Sequence, residues 1–321
     1  MIALCMLLTS WSLVEITRSD PITDLDPYFD ASALKRPVAE IFLDGQDIVS
    51  RELDSAAELV RSTNASFVFQ TTIDSISMGT ILIREGDYVI NWTVELKDYV
   101  SLTGTGWEST SLKMADGVNR AAFNTSTTST VRRVEISNFA LDGNKNFNTV
   151  GNLIEGRFYM VRIHDLFLVN GAENGLHIWD GGVDNYIYGN YIYGMGKSGI
   201  MLDGTDNRIY DSIIAHCGMG ITIINAYSQG IDNVYMYAPG AYGINIRGDN
   251  ARITINNCHI MMDPSFYGAG ICITIWPPFQ LENITITNNY IECLGSEMMG
   301  IWVTGEGWFC NSTVRGNRIN V

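Results

Sequence analysis

Apolar residues recur along the chain in a fixed spacing rather than in helical stripes. An Ile or Val is followed five positions later by Ile, Leu or Met, in pairs beginning at Ile136, Ile163, Ile187, Ile209, Ile231, Ile255, Ile286 and Val314. Most steps between these starts fall in the twenties, which is the length of one coil of a β-solenoid. The longer step from Ile255 to Ile286 predicts an inserted loop. A second element, opening with glycine, follows the six pairs from Ile163 to Ile286: Gly175-Leu-His-Ile178, Gly199-Ile-Met-Leu202, Gly220-Ile-Thr-Ile223, Gly243-Ile-Asn-Ile246, Gly270-Ile-Cys-Ile273 and Gly300-Ile-Trp-Val303. Side chains on a strand alternate between faces, so the residues flanking the middle one point inward and His177, Met201, Thr222, Asn245, Cys272 and Trp302 point outward. A helix would need apolar spacings of three and four over ten or more residues, and glycine interrupts these runs too often for that.

Stacked parallel coils about 4.8 Å apart give a column of roughly 40 Å with aliphatic ladders inside. No coil is stable alone, so the ends need covering. Residues 52–63 and 66–76 have helical character, with Ala56, Leu59, Val60, Phe69 and Ile73 as an apolar face, and predict a helical N-terminal cap. The last residues, Asn317 to Val321, stop inside a repeat, which implies either a fragment or a partner over that edge.

The text Gly79-Thr-Ile-Leu-Ile-Arg-Glu-Gly-Asp-Tyr-Val-Ile90, then Val94 to Gly106 ending Leu-Thr-Gly-Thr-Gly, then Ser109 to Leu112, resembles the opening coils of the pectate-lyase-like superfamily. With the later repeats the resemblance covers residues 41–321. It implies an all-β, right-handed, single-stranded parallel β-helix of the pectin-lyase-like kind with a short helical N-terminal cap. The expected organisation is a leader and linker over 1–40, a cap over 41–78 and coils over 79–321. The superfamily holds polysaccharide lyases, glycoside hydrolases, tailspikes and surface proteins, so fold does not choose an activity. The chain has no Asn-Thr-Asp, Asp-Asp, Gly-His-Gly and Arg-Ile-Lys set of the polygalacturonase-like hydrolases and no Arg-x-Pro-x-x-Arg of the pectate lyases.

Charge and composition narrow the partners. A formal charge of −15 with only 20 Lys and Arg excludes a nucleic-acid surface, which needs clustered cations. The apolar run Ile2–Val14 is too short for a stable membrane span and has the length of a leader core, without a basic start. Sequons at Asn64, Asn91, Asn124, Asn283 and Asn311 fit an exported, secreted or cell-surface glycoprotein, and equally fit chance in an Asn-, Ser- and Thr-rich chain. Six cysteines form no CxxC pair and read as buried thiols. Cys272 is a candidate reactive thiol, but no basic neighbour adjoins it.

Two turns carry nearly the same text, Asp180-Gly-Gly-Val-Asp184-Asn185 and Asp203-Gly-Thr-Asp206-Asn207. Asp184 and Asp206 each precede a repeat isoleucine by three residues and are expected on adjacent coils. Such a pair, with Arg208, is a candidate catalytic set, and Asp180, Asp184, Asp203 and Asp206 are candidate calcium ligands. The competing explanation is that Asp-Gly and Asp-Asn are good turn residues. Trp179, Tyr191, Tyr235, Trp276 and Trp302 are candidate sugar platforms, being apolar on the ring face, or else they pack under loops or against a second subunit. His164, His177, His216 and His259 share no metal-ligand spacing and read as structural. Together these features predict an extracellular β-helix protein that binds or processes polysaccharide along its wall, as a lyase or hydrolase if it is an enzyme. The alternative is a structural or adhesion module that assembles into a homo-oligomer through its wall or its open end.

Overall fold

The computed structural model describes residues 36–275, 277 and 280–321. The leader-like run and Cys5 therefore lie outside the described residues, as does Trp276. The described chain winds as a right-handed parallel β-helix with three walls. One coil serves as the pattern for the rest: Arg162–His164 on the first wall, Phe167–Val169 on the second and Leu176–Ile178 on the third, before Tyr186–Tyr188 starts the next coil. Each strand pairs in parallel with its equivalents one coil before and one coil after.

The spacing read from the sequence is the register itself. Ile136, Ile163, Ile187, Ile209, Ile231, Ile255, Ile286 and Val314 form one continuous column on the first wall. Those from Ile136 to Ile286 are fully buried, while Val314 and its second-wall counterpart Ile319 are exposed. Glycines lead the third-wall strands because the backbones there come too close for a side chain. A Cβ on Gly220 would lie 2.3 Å from the carbonyl oxygen of Gly243, and one on Gly243 would lie 2.5 Å from that of Gly270.

The corner before the first wall explains the repeated Asp-Asn text. Arg133, Met160, Asp184, Asp206, Ser228, Arg252, Asn283 and Asn311 each take a left-handed φ near +50°, and Val183 bridges Thr205 and Thr205 bridges Tyr227 just ahead of this column. Asp tolerates that conformation at low cost, yet the corner accepts Met, Ser and Arg as well. The asparagine that follows has a different task. Asn185, fully buried, donates from Nδ2 to the Phe158 carbonyl and to Asn207 Oδ1, both at 2.9 Å, and accepts from the Val161 amide at 3.0 Å. Such a ladder satisfies backbone groups that the turn leaves without strand partners. Asn289 and Asn317 form a ladder of the same kind at the next corner, between the first and second walls.

At the N-terminal end Pro37–Asp44, Asp47–Glu52 and Glu58–Ser62 form an antiparallel meander, and the first of these joins the wall through Gly79–Ile83. Helix Ala65–Ser75 is capped by Asn64, whose Oδ1 accepts from the Phe67 amide at 3.1 Å. Its buried face brings Phe69 against Tyr88 and Phe123 over the end of the core. The helical expectation holds for 66–76 and fails for 52–63. There the chain turns through Ala56, at φ +55°, into a strand, because pairing with Asp47–Glu52 satisfies more of its backbone than an isolated helical turn does.

Candidate functional site

The third wall carries the chemistry. Its outward column runs Glu95, Asn124, Glu155, His177, Met201, Thr222, Asn245, Cys272 and Trp302. Two residues beyond His177 and Met201, just past the ends of strands Leu176–Ile178 and Ser198–Leu202, Trp179 and Asp203 begin a second row. The two rows meet where His177 Nε2 stands 2.9 Å from Asp203 Oδ2, a diagonal contact between neighbouring coils. Both side chains are largely buried, 17% and 24% exposed, so the contact is shielded from the solvent that weakens surface pairs. In the tautomer this contact selects, Nε2 donates to the carboxylate and Nδ1 is the proton-accepting nitrogen. The Trp179 ring meets the His177 ring edge-on at 6.5 Å between centroids.

Next to the dyad the wall opens into a cleft of about 550 Å³ lined by Trp92, Glu95, Arg120, Asn124, Glu155 and Glu173. Glu155 stands directly in register with His177, and its carboxylate accepts from the Asn152 amide. Glu173, on the rim, is ion-paired to Lys197. That ammonium holds the Glu173 carboxyl below the usual carboxylate range, against the opposing effect of burial, with help from the Gly151 amide and from the nearby His177. Two acceptor atoms of this wall are buried without a hydrogen-bond partner: Asn124 Oδ1 in the cleft lining and Asp203 Oδ1 on the coil after His177. The arrangement can hold a polyhydroxylated ligand along the wall and move a proton at His177.

The residues singled out from sequence divide between walls and corners. Asp184 and Asp206 do occupy adjacent coils, in the left-handed corner described above. Arg208 is committed to that corner, with Nη1 donating to the carbonyls of Asn207 at 3.1 Å and Ser228 at 2.7 Å. Asp180 is exposed, and its carbonyl accepts from Arg157 Nε. Among the described residues no group of three or more His, Cys, Asp or Glu side chains is placed to hold a metal ion, so Asp180, Asp184, Asp203 and Asp206 do not converge. Trp179 and Trp302 both belong to the third wall, Trp302 beside Cys272. Cys272 is buried, and burial raises its pKa, which makes it a poor nucleophile.

Tyr191 and Tyr235 lie on the second wall, where rings pack on one another. Tyr191 meets Phe167 at 5.2 Å and Trp107 at 6.2 Å, and His259 sits edge-on between Tyr235 and Tyr290 at 4.6 and 4.7 Å. The first wall repeats the theme with His164, Tyr188 and Tyr210 stacked within 6° of parallel.

The pairing of His177 with Asp203 was not among the sequence expectations. Its signal is present once the coils are aligned: Gly175-Leu-His-Ile-Trp and Gly199-Ile-Met-Leu-Asp place Asp203 two positions past the residue opposite His177. Metal-ligand spacing along the chain cannot detect a contact made across coils.

Comparison with known proteins agrees with this architecture. The family described as right handed beta helix region matches residues 174–321. No curated protein sequence matches the chain. Among solved structures, the DFA-IIIase of Arthrobacter chlorophenolicus A6 in complex with DFA-III aligns with a TM-score of 0.57 at 15% identity, covering 80% of this chain and 81% of that one. The A-module of the Azotobacter vinelandii mannuronan C-5 epimerase AlgE6 aligns with a TM-score of 0.53 at 14% identity, covering 80% and 96%. ORF18 of Geobacillus virus E2 aligns with a TM-score of 0.50 at 16% identity over 78% of this chain, which spans 58% of that one. At such identities the likeness is one of fold.

Proposed function

We propose that this right-handed parallel β-helix protein binds a polysaccharide or oligosaccharide along its third wall and processes it at His177. The observation that carries the reading is the 2.9 Å contact of His177 Nε2 with Asp203 Oδ2, beside Glu155 and at the edge of the cleft. Two solved structures of the same fold, an epimerase named for mannuronan and an enzyme bound to DFA-III, act on carbohydrate and support the substrate class. Asp203 orients the ring through its contact with Nε2. His177 then takes a proton from a sugar hydroxyl or from water at Nδ1 and returns it to the leaving or re-forming group, and Glu155 supplies a second carboxyl within one coil. Trp179 and Trp302 extend the surface on which a chain of sugar rings lies. The place of work in this reading is outside the cell, where such polymers are met and where the exposed sequons Asn91, Asn283 and Asn311 are open to modification. Recovery of the full-length chain from the medium of its native host checks that location, and retention inside the cell contradicts it.

The test of function is a panel of polysaccharides incubated with the chain and with His177→Ala, followed by measurement of new reducing ends, unsaturated products and altered sugar configuration. The expected result is conversion of one class by the parent and at least a hundredfold loss in the variant. A parent that neither binds nor alters any of them contradicts the reading.

A further inference from the structure

We infer that a small pocket at the corner between the second and third walls binds a primary ammonium group carried on an apolar stem. The pocket shares no lining residue with the third-wall cleft, and the inference does not depend on the function proposed above.

The pocket forms where a coil lengthens. The corner between Tyr235–Tyr237 and Tyr242–Arg247 takes residues 238–241, whereas the next, between His259–Met261 and Gly268–Ile275, takes residues 262–267. The longer loop turns at Asp263, whose Oδ1 accepts from the Ser265 amide at 2.9 Å. Tyr237, Met261 and Glu292 follow one another in register on the outward face of the second wall. With the loop, His216 and Leu294 they line a space of about 220 Å³. Pockets for drug-sized ligands run to about 300–1,000 Å³, so this one suits a single side chain or small head group rather than a run of sugar rings.

The lining sets the chemistry of the occupant. Asp263 and Glu292 contribute two carboxylates, and no Lys or Arg is among the lining residues. Among the described residues neither carboxylate is ion-paired, and the Glu292 side chain makes no hydrogen bond. Of the neighbouring cations, Arg318 on the following coil lies over the Tyr290 ring, 5.4 Å from its centroid, and burial holds the His259 pKa below its ordinary value. An anion is therefore repelled. A metal ion lacks ligands, because among the described residues no three His, Cys, Asp or Glu side chains are grouped to hold one. An organic cation fits both halves of the lining. The Tyr237 and His216 rings, edge-on at 5.1 Å, stand with Met261 and Leu294 as apolar and π surface for its stem. Carboxylate oxygens only accept, so they favour a head rich in N–H donors over a quaternary one.

The experiment follows the Met261 and Met262 methyl signals of the full chain, labelled at methionine, at low salt and pH 8, where an alkylammonium stays charged. The probes are Nα-acetyl-lysine methylamide, cadaverine, choline and the Nζ-acetylated form of the lysine amide, which lacks the charge. The expected result is a saturable shift with the lysine amide or cadaverine, binding of choline weaker by about fivefold or more, and no shift with the acetylated form. Glu292→Gln and Asp263→Asn are each expected to weaken the better amine by about fivefold or more, and Asp263→Asn retains an acceptor for the Ser265 amide. A lysine amide bound at least as tightly as cadaverine assigns the ligand to a lysine displayed on another chain, and tighter cadaverine assigns it to a free amine. His177→Ala is expected to leave these affinities unchanged, which keeps the pocket separate from the glycan reading. No saturable shift with either amine, equal binding of the acetylated lysine, or undiminished binding in both carboxylate variants overturns the inference.

Discussion

The second and third walls are built by the same coils and obey the same register, yet they present opposite surfaces. On the second wall outward rings meet rings of the next coil at three places, Phe167 on Tyr191, Tyr235 on His259 and His259 on Tyr290. On the third wall the outward column changes character from coil to coil, and its polar groups are answered incompletely, leaving Asn124 Oδ1 without a donor in the lining of a cleft and Asp203 Oδ1 without one on the coil after His177. A stacked fold tends to satisfy its own outward residues, because equivalent positions lie only about 4.8 Å apart. His259 Nε2 on the second wall is also buried without a partner, so an unanswered atom points to a ligand only where, as at Asn124, it belongs to the lining of a cleft. Exposed aromatic residues are therefore a weaker pointer to function in a β-helix than polar residues that break the column.

That contrast can be broken most severely at the dyad. His177→Ala is expected to lower glycan processing by at least 10²-fold, the scale of a lost acid–base group, while the thermal midpoint stays within a few degrees. Tyr191→Ala and Tyr235→Ala are expected to leave the rate within about twofold and to lower stability instead, by about 1–3 kcal/mol each, through lost ring packing. Rate assays and denaturant unfolding of the three variants separate the walls. If the tyrosine variants lose activity and the histidine variant keeps it, the assignment is reversed.

A smaller effect is expected one step removed from the ring. Asp203→Asn keeps a side chain of the same shape near His177 Nε2 but replaces the acceptor-only carboxylate that fixes the ring's orientation, and the expected outcome is a 10–100-fold fall in kcat with KM little changed. An equal loss in kcat/KM from weaker binding alone would place Asp203 in substrate recognition.

The corner ladder serves as a control for both walls. Asn185→Ala removes a fully buried side chain with three hydrogen bonds, and is expected to cost about 1–3 kcal/mol of stability without altering the pH dependence of catalysis.

The smallest effect is a pH dependence of stability on the second wall. Burial between Tyr235 and Tyr290 holds the His259 pKa below its ordinary value, with Glu292 opposing. A depressed folded pKa means that the unfolded chain binds more protons in the window between the two values. The His259 contribution is then complete above the unfolded value near 6.5 and is lost as pH falls from there through the folded value. Unfolding midpoints for the parent and His259→Gln across pH 5–8 are expected to converge at the acidic end. Divergence on acidification would contradict the burial argument.

The coil repeat was legible in the sequence because a solenoid writes its register directly into chain spacing. Each repeat isoleucine from Ile136 to Ile286 reached the core column expected of it. The site was far less legible. Asp184 and Asp206 were drawn forward by their near-identical surroundings, and those surroundings encode a left-handed corner followed by an asparagine ladder. His177 and Asp203 are separated by a coil in sequence and joined only by register, so no local pattern announces them. The strand at Glu58–Ser62 was read as helix because its pairing partner, not its composition, determines its conformation.

Hydrogen–deuterium exchange of the full chain with and without a saturating oligosaccharide, taken from the class that the panel identifies, tests the central claim most directly. The account predicts protection confined to the third-wall strands Ile154–Tyr159, Leu176–Ile178 and Ser198–Leu202 and to the cleft loop around Arg120 and Val150. Protection centred instead on Phe167–Val169, Tyr191–Tyr193 and Tyr235–Tyr237, with the third wall unchanged, would contradict it and assign recognition to the aromatic wall.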